Sequence, residues 1–315
     1  MEVKETLGEK IILDCDPGHD DAIAIILAGL HESIELLGIT TVAGNSYLEN
    51  TTKNALIVAE LSGIDVDVYP GSPKPIVGKQ IVAHDIHGYT GLEGADLPEP
   101  SKKPRDMHAI DFIAEMVKKY PGEINLVATG PLTNIALFVL KYPHLVSKLK
   151  RFVFMGGGLA FGNITPTAEF NIYADPEAAA IVLNTDIPKI MAPLDMTHKA
   201  VITKEEVNKL KMSEKKVLKV LTDLLEYFMS TYKKVYGIEG APLHDPTAIA
   251  YLIDFNMFTW DELNVVVELN GKFTRGQTVA DVWKTSGRSP NVRVLKNIDR
   301  ERFFNVLLET LMKLP

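Results

Sequence analysis

The chain has 315 residues, 46% of them hydrophobic and 23% charged, and 33 basic against 41 acidic side chains leave a formal net charge of -8. That balance is the composition of a folded globular protein; it excludes a disordered chain and leaves no basic footprint for nucleic acid. No apolar run approaches the roughly 20 residues that cross a bilayer, MEVKETLGEK has no apolar signal core, and the lone Cys15 fits a reducing cytoplasm as a small buried hydrophobe.

In chain order, KIILDC (10–15) predicts a strand and Asp20 opens a helix. IELLGITTV (34–42) predicts a second strand, ENTTKNALIVAELSG (49–63) a helix and VDVYPG (66–71) a third strand. Residues 71–105 carry Gly71, Pro73, Pro75, Gly78, Gly88, Gly91 and Gly94 with His84 and His87; so long a loop in a compact domain predicts a lid or binding segment. A helix near 106–120 follows, then INLVATG (124–130), a helix from Pro131, RFVFMGGG (151–158), a helix from Asp175 through Asn184 and the strand DIPKIMAPLD (186–195). Helices at 203–211 and 213–236, strands ELNVVVEL (262–269) and NVRVL (291–295) and an amphipathic helix at 299–312 complete the chain. Near-continuously apolar strands alternating with helices predict one α/β domain, a mostly parallel sheet with helices on both faces.

DCDPGHDDAIAIILA (14–28) sets Asp14, Asp16, Asp20 and Asp21 against an apolar run. An unpaired buried carboxylate is costly, so a cation, donor or proton must offset the cluster. Asp20 and Asp21 also suit a first helical turn, where acids favour the helix dipole; adjacent helical positions diverge by about 100°, so one can face Asp16 while the other faces a ligand. Carboxylates without thiolates suit hard ions, calcium or magnesium. An EF-hand is excluded: with Asp14 at loop position 1, Gly18 stands at position 5 and Ile25 at position 12.

Ligands of open parallel sheets bind at the carboxyl ends of the strands, where Asp14, Asp16, Asn45, Thr129, Met155, Gly156 to Gly158 and Asp195 recur. In GAPLHDP (240–246), Asp245 before Pro246 is an expected helix N-cap, and His244 is suited to proton transfer near neutral pH. In GNITPTAEFNIYADPEAA (162–179), Asn163, Glu169 and Asn171 are turn formers or a set that reads sugar hydroxyls.

DCDPGHDDA, TVAGN, VATGPLTNIA, MGGG, AEFNIYADPEAA and PLHDP resemble, in order and at comparable spacing over most of the chain, the blocks of the inosine-uridine preferring nucleoside hydrolases. The resemblance implies a Rossmann-like single domain over residues 1–315, a homodimer or homotetramer, and hydrolysis of the N-glycosidic bond of ribonucleosides with bound calcium (Ca2+). It implies that Asp16, Asp21, Asp245 and the Thr129 carbonyl hold the ion, that Asp16 deprotonates the attacking water, and that Asp14 supports them. Asp20, Asn45 and Asn171 would bind ribose hydroxyls, Asn163 and Glu169 the 5′ hydroxyl, and Met155 would pack near the sugar. On the base side it implies His244 assisting departure, with His87, Tyr232 and Tyr236 as contacts. Pyrimidine nucleosides are the expected substrates, with purine nucleosides such as inosine second. Two other readings remain: a metal-dependent phosphohydrolase, whose Asp-x-Asp pattern wants Thr or Val where Pro17 stands, and, from another class, a nucleoside-binding protein without turnover, against which Asp16 and His244 both stand; the motifs hold no Arg or Lys fork, which favours neutral nucleosides over nucleotides.

Overall fold

The computed structural model describes residues 8–315, so the first part of the segment read for a leader lies outside the described residues. Its strands β1 (Glu9–Cys15), β2 (Ile34–Thr41), β3 (Val68–Pro70), β4 (Asn125–Ala128), β5 (Arg151–Met155) and β6 (Lys189–Ala192) lie in the order β3-β2-β1-β4-β5-β6. All neighbouring pairs among these six are parallel. Val292–Ile298 continues the sheet parallel to β6, and Phe258–Leu263 closes it as an antiparallel edge.

Both faces are covered, which is why the strands read as continuous apolar runs rather than alternating ones. Successive side chains of a strand still point to opposite faces: Ile11, Leu13 and Cys15 join the core beneath α1 (His19–Leu30), while Ile12 joins the other core beneath Ala109–Lys119 and Thr133–Lys141. From β1 the chain builds outward to β3 and then returns to lay β4 on the opposite side of β1. At that reversal the connections leaving β1 and β4 diverge and open a crevice beyond their carboxyl ends. Asp14 pairs in register with Thr40 on one side and Ala128 on the other, so the acidic motif begins at the mouth of this crevice.

Two expectations are corrected. ELNVVVEL is not one strand: Phe258–Leu263 ends on the main sheet, and after Asn264 the chain turns off to pair Val265–Val267 with Thr278–Ala280 in a separate ribbon. There the Asn264 side-chain amide donates to the Ser289 carbonyl at 2.8 Å, while its backbone carbonyl accepts the Asp281 N–H at 2.8 Å on the ribbon side. The 71–105 segment is not wholly irregular either, since His84–His87 forms a helical turn, and Ala83 N–H donates to the Asn45 carbonyl at 3.1 Å, tying that turn to the crevice.

Candidate active site

Asp16 leaves β1 with its two oxygens in different environments. Oδ2 accepts the Asn45 backbone N–H at 2.7 Å, whereas Oδ1 is buried without a hydrogen-bond partner among the described residues. Asp21, in the first turn of α1, accepts from Gly18 N–H at 3.0 Å, from the Asn45 amide at 3.1 Å and from the Thr129 hydroxyl at 2.8 Å. It therefore caps its helix and faces the crevice, combining the two readings of an acidic first turn. Asp245 does not cap. Pro246 opens the helix Pro246–Ile253 as expected, but the Asp245 side chain makes no cap bond. Carboxylate oxygens of Asp20, Asp21 and Asp245 instead lie within 4.8 Å of one another, all three residues buried.

Burial raises every one of these carboxyls. Asp16 and Asp245 are pushed well above the ordinary carboxylate range by burial, then by neighbouring Asp21 and Asp20 respectively. Asp20 is raised to about 7 by burial and then by Asp21, and Asp21 is raised by burial against its donors Gly18 and Thr129. Like charges so close cannot all ionise without a counter-charge. Three convergent carboxylates, an orphaned Asp16 oxygen and no thiolate fit a hard divalent cation.

Asp14 lies beneath this group rather than in it. Its Oδ1 accepts from Thr40 Oγ1 and, at 2.8 Å, from the Asn134 amide; its Oδ2 has no partner among the described residues, and burial raises its pKa to about 7. The Thr129 carbonyl accepts the Asn171 amide at 2.7 Å and keeps a second lone pair. Asn171 also reaches the Met155 carbonyl at 3.3 Å, bridging the ends of β4 and β5.

A cleft opens over these groups. Asp20, Asn45, Thr129 and Asp245 line it from the carboxylate end, Met155 from the end of β5 with Asn163, Glu169 and Asn171 from the segment after it, and His87, Tyr232 and Tyr236 from helical elements with His244 from the turn before Pro246. Asp14, Asp16 and Asp21 do not reach its surface. Several polar groups expected to face a ligand are already engaged: Asn45 donates to Asp21 and to the Asp16 carbonyl, and Asn163 Oδ1 accepts Phe170 N–H at 2.8 Å. Glu169 caps Phe170–Ala174 through the N–H groups of Asn171 and Ile172 and also holds Gly157 N–H at 2.9 Å. Asp195 is brought to the sheet edge but not to the cleft; its carboxylate accepts Leu159 and Ala160 N–H groups and so secures the glycine loop.

His244 is buried and bonded at both nitrogens, Nδ1 to Thr197 Oγ1 at 2.7 Å and Nε2 to the Tyr232 hydroxyl at 2.8 Å. Burial, with His198 second, holds its imidazole well below the ordinary histidine range, so it is neutral; the Tyr232 phenol is pushed well above its usual range by burial and Asp20 and keeps its proton. Tyr236 ends the helix Lys216–Tyr236 and donates to the Asn163 carbonyl at 3.2 Å, joining that helix to the segment after β5. Thr197 and the lining residues Val82, Ile86 and Val235 carry no sequence signal beyond apolar or hydroxyl character, and only the chain path brings them here.

A family model described as inosine-uridine preferring nucleoside hydrolase matches residues 11–305. The pyrimidine-specific ribonucleoside hydrolase RihA of Salmonella arizonae is 44% identical over 303 residues, covering 96% of this chain and 97% of that protein. Among solved structures, a purine-preferring ribonucleoside hydrolase from Gardnerella vaginalis superposes with a TM-score of 0.91 at 34% identity, covering 96% of this chain and 98% of that one. A plant nucleoside hydrolase superposes at 0.90 with 32% identity, covering 97% and 99%.

Proposed function

This chain belongs to the inosine-uridine preferring nucleoside hydrolase family and is a ribonucleoside hydrolase; from that premise we propose that it is calcium-dependent and prefers pyrimidine nucleosides, uridine and cytidine before inosine. The carrying observation is a group of three buried carboxylates, two of which, Asp20 and Asp245, line one cleft with a doubly bonded histidine. The pyrimidine preference is supported by the RihA relative, which is more similar in sequence than the purine-preferring structure.

Asp16, Asp21, Asp245 and the free lone pair of the Thr129 carbonyl would hold the ion, with Asp14 supporting the loop from below. Calcium suits a flexible oxygen cage better than magnesium, which demands near-ideal octahedral geometry. When bound, such an ion would supply positive charge that lowers the pKa of a nearby water and balances the carboxylates. Asp16, whose Oδ1 has no protein partner, takes the proton from the attacking water as the water oxygen bonds to the anomeric carbon. The carbon–nitrogen bond breaks with its electron pair leaving on the base. Asp20, Asn45 and Asn171 orient the ribose hydroxyls, Asn163 and Glu169 the 5′ hydroxyl, and Met155 packs against the ring. The buried carboxylates stabilise the positive charge that develops on the sugar. On the base side His244, held between Thr197 and Tyr232, assists departure as a relay: the Tyr232 hydroxyl gives its proton to the departing base and takes one back from His244 Nε2, while His244 regains a proton at Nδ1 from solvent and stays neutral, with His87 and Tyr236 as further base contacts.

We take residues 1–315 as one cytoplasmic domain that assembles as a homodimer or homotetramer. Release of reducing sugar from uridine, cytidine, inosine and adenosine tests the reading, measured before chelation, after it and with calcium restored. Calcium-restored release, fastest from uridine or cytidine, is expected; calcium-independent release overturns the ion assignment, and faster inosine cleavage overturns the pyrimidine preference.

A further inference from the structure

The three glycines after β5 give their N–H groups to three different elements. Gly156 donates to the Ala192 carbonyl at 3.2 Å, Gly157 to Glu169 Oε2 at 2.9 Å and Gly158 to the Thr278 hydroxyl at 3.0 Å. The Thr278 hydroxyl in turn donates to the Gly158 carbonyl at 2.7 Å, so one side chain occupies both backbone groups of one glycine. The peptide between Gly157 and Gly158 is thus held at both ends, its N–H by Thr278 and its carbonyl by Leu194 N–H at 2.9 Å. Thr278 comes from the ribbon, 120 residues further along the chain. Strand alternation buries it while Val279 beside it is exposed. The approach is close: Gly157 has a φ of +74°, and a Cβ there would lie 2.8 Å from Thr278 Oγ1. The ribbon reaches the segment after β5 a second time, where the Thr167 hydroxyl donates to the Phe273 carbonyl at 3.2 Å, two residues before Glu169.

Glu169 lines the cleft, and its carboxylate turns about a terminal torsion that is intrinsically broad. Its aim is therefore set by the groups it holds. Oε2 accepts the Gly157 and Ile172 N–H groups, while Oε1 accepts Asn171 N–H at 2.8 Å and keeps a lone pair. Asn171 and Ile172 follow Glu169 in the chain and move with it, so Gly157 is the donor whose place is set from outside. We propose that Thr278 is a positioning residue for the 5′ end of the nucleoside: its lock on Gly158 fixes the Gly157 N–H that turns Glu169 Oε1 toward the 5′ hydroxyl. The inference deepens the assignment of Glu169 to that hydroxyl and rests on it.

Three variants grade the lock. Thr278→Val keeps the shape and removes the hydroxyl, Thr278→Ser keeps the hydroxyl, and Thr278→Cys offers a weaker hydrogen-bonding group. Uridine kcat/KM is expected to fall about tenfold in Thr278→Val, about the worth of one hydrogen bond to a charged group, less in Thr278→Cys and little in Thr278→Ser. 5′-Deoxyuridine, which has no 5′ hydroxyl, should keep its wild-type kcat/KM in all three. The Gly157 amide proton resonance, drawn downfield by its carboxylate acceptor, should move upfield in Thr278→Val as it does in Glu169→Ala. In a Glu169→Ala background Thr278→Val should lower uridine turnover no further. Thr278→Cys carries the same comparisons if Thr278→Val does not fold. Equal losses on the two substrates where Glu169→Ala separates them, or a Gly157 resonance that the loss of the hydroxyl leaves in place, overturn the proposal. Equal losses on both substrates in Glu169→Ala itself overturn the 5′ hydroxyl assignment alone, since the resonance still reads the lock.

Discussion

The Tyr232 hydroxyl lies 2.8 Å from His244 Nε2, and both side chains are buried in a cleft whose other end is built from carboxylates. Tyr232→Phe removes this bond and keeps the ring. Uridine kcat is expected to fall by about 10² or more, the range of one positioned acid–base group, while an activated nitrophenyl riboside, whose leaving group needs no proton, loses much less. Equal losses on the two substrates would show the pair to be structural.

Asp16 has one oxygen on the Asn45 N–H and one without a partner. Asp16→Ala should abolish measurable turnover, since base and ion ligand are lost together; near-normal turnover would sink the assignment. Gly44→Ala tests the same group from outside: a Cβ at residue 44 would lie 2.0 Å from Asp16 Oδ2. The alanine variant should fold but lose at least about tenfold in kcat by displacing that carboxylate, an effect read by steady-state kinetics beside circular dichroism.

Glu169 holds three backbone N–H groups as cap and loop anchor, so Glu169→Ala should cost about 1 kcal/mol of stability, as cap removals do. If Glu169 also reads the 5′ hydroxyl, KM for uridine should rise while KM for 5′-deoxyuridine stays near its wild-type value. Matching rises for both substrates would restrict Glu169 to its cap.

The carboxylates also set a pH dependence for the ion-free protein. Asp14 and Asp20 have folded values near 7 against 3.8 for the free side chain. The native state therefore binds more protons than the unfolded chain between those values, and stability falls as pH rises through that window. An ion takes the place of the protons, so chelation should lower Tm more at about pH 8 than at about pH 5. An equal chelation effect at both values, by scanning calorimetry, would count against an ion held by this cluster.

Local pattern alone determined much of this protein. The apolar runs and the helices between them specify a covered parallel sheet because a strand buried on both faces needs apolar residues throughout. The polar residues that end those runs mark the functional edge because strand ends share one side of a parallel sheet. Asp175, followed by proline, caps Pro176–Leu183 as its sequence context predicts, since that bond spans only three residues. Tertiary structure decided what depends on distant partners. Asp245 has the local pattern of a cap, yet its carboxylate turns to Asp20 and Asp21 from the opposite end of the chain. Asn45 is held by Asp16 and Asp21 across the neighbouring connection, and Asp195, at an apparently equivalent strand end, secures a loop instead. His19 has no partner legible in its own motif, and the turn His84–His87 lays His87 against it. Hydrophobic periodicity reports which face of an element is buried; which polar groups meet is set by strand order and by the paths of the loops, and these are properties of the folded whole.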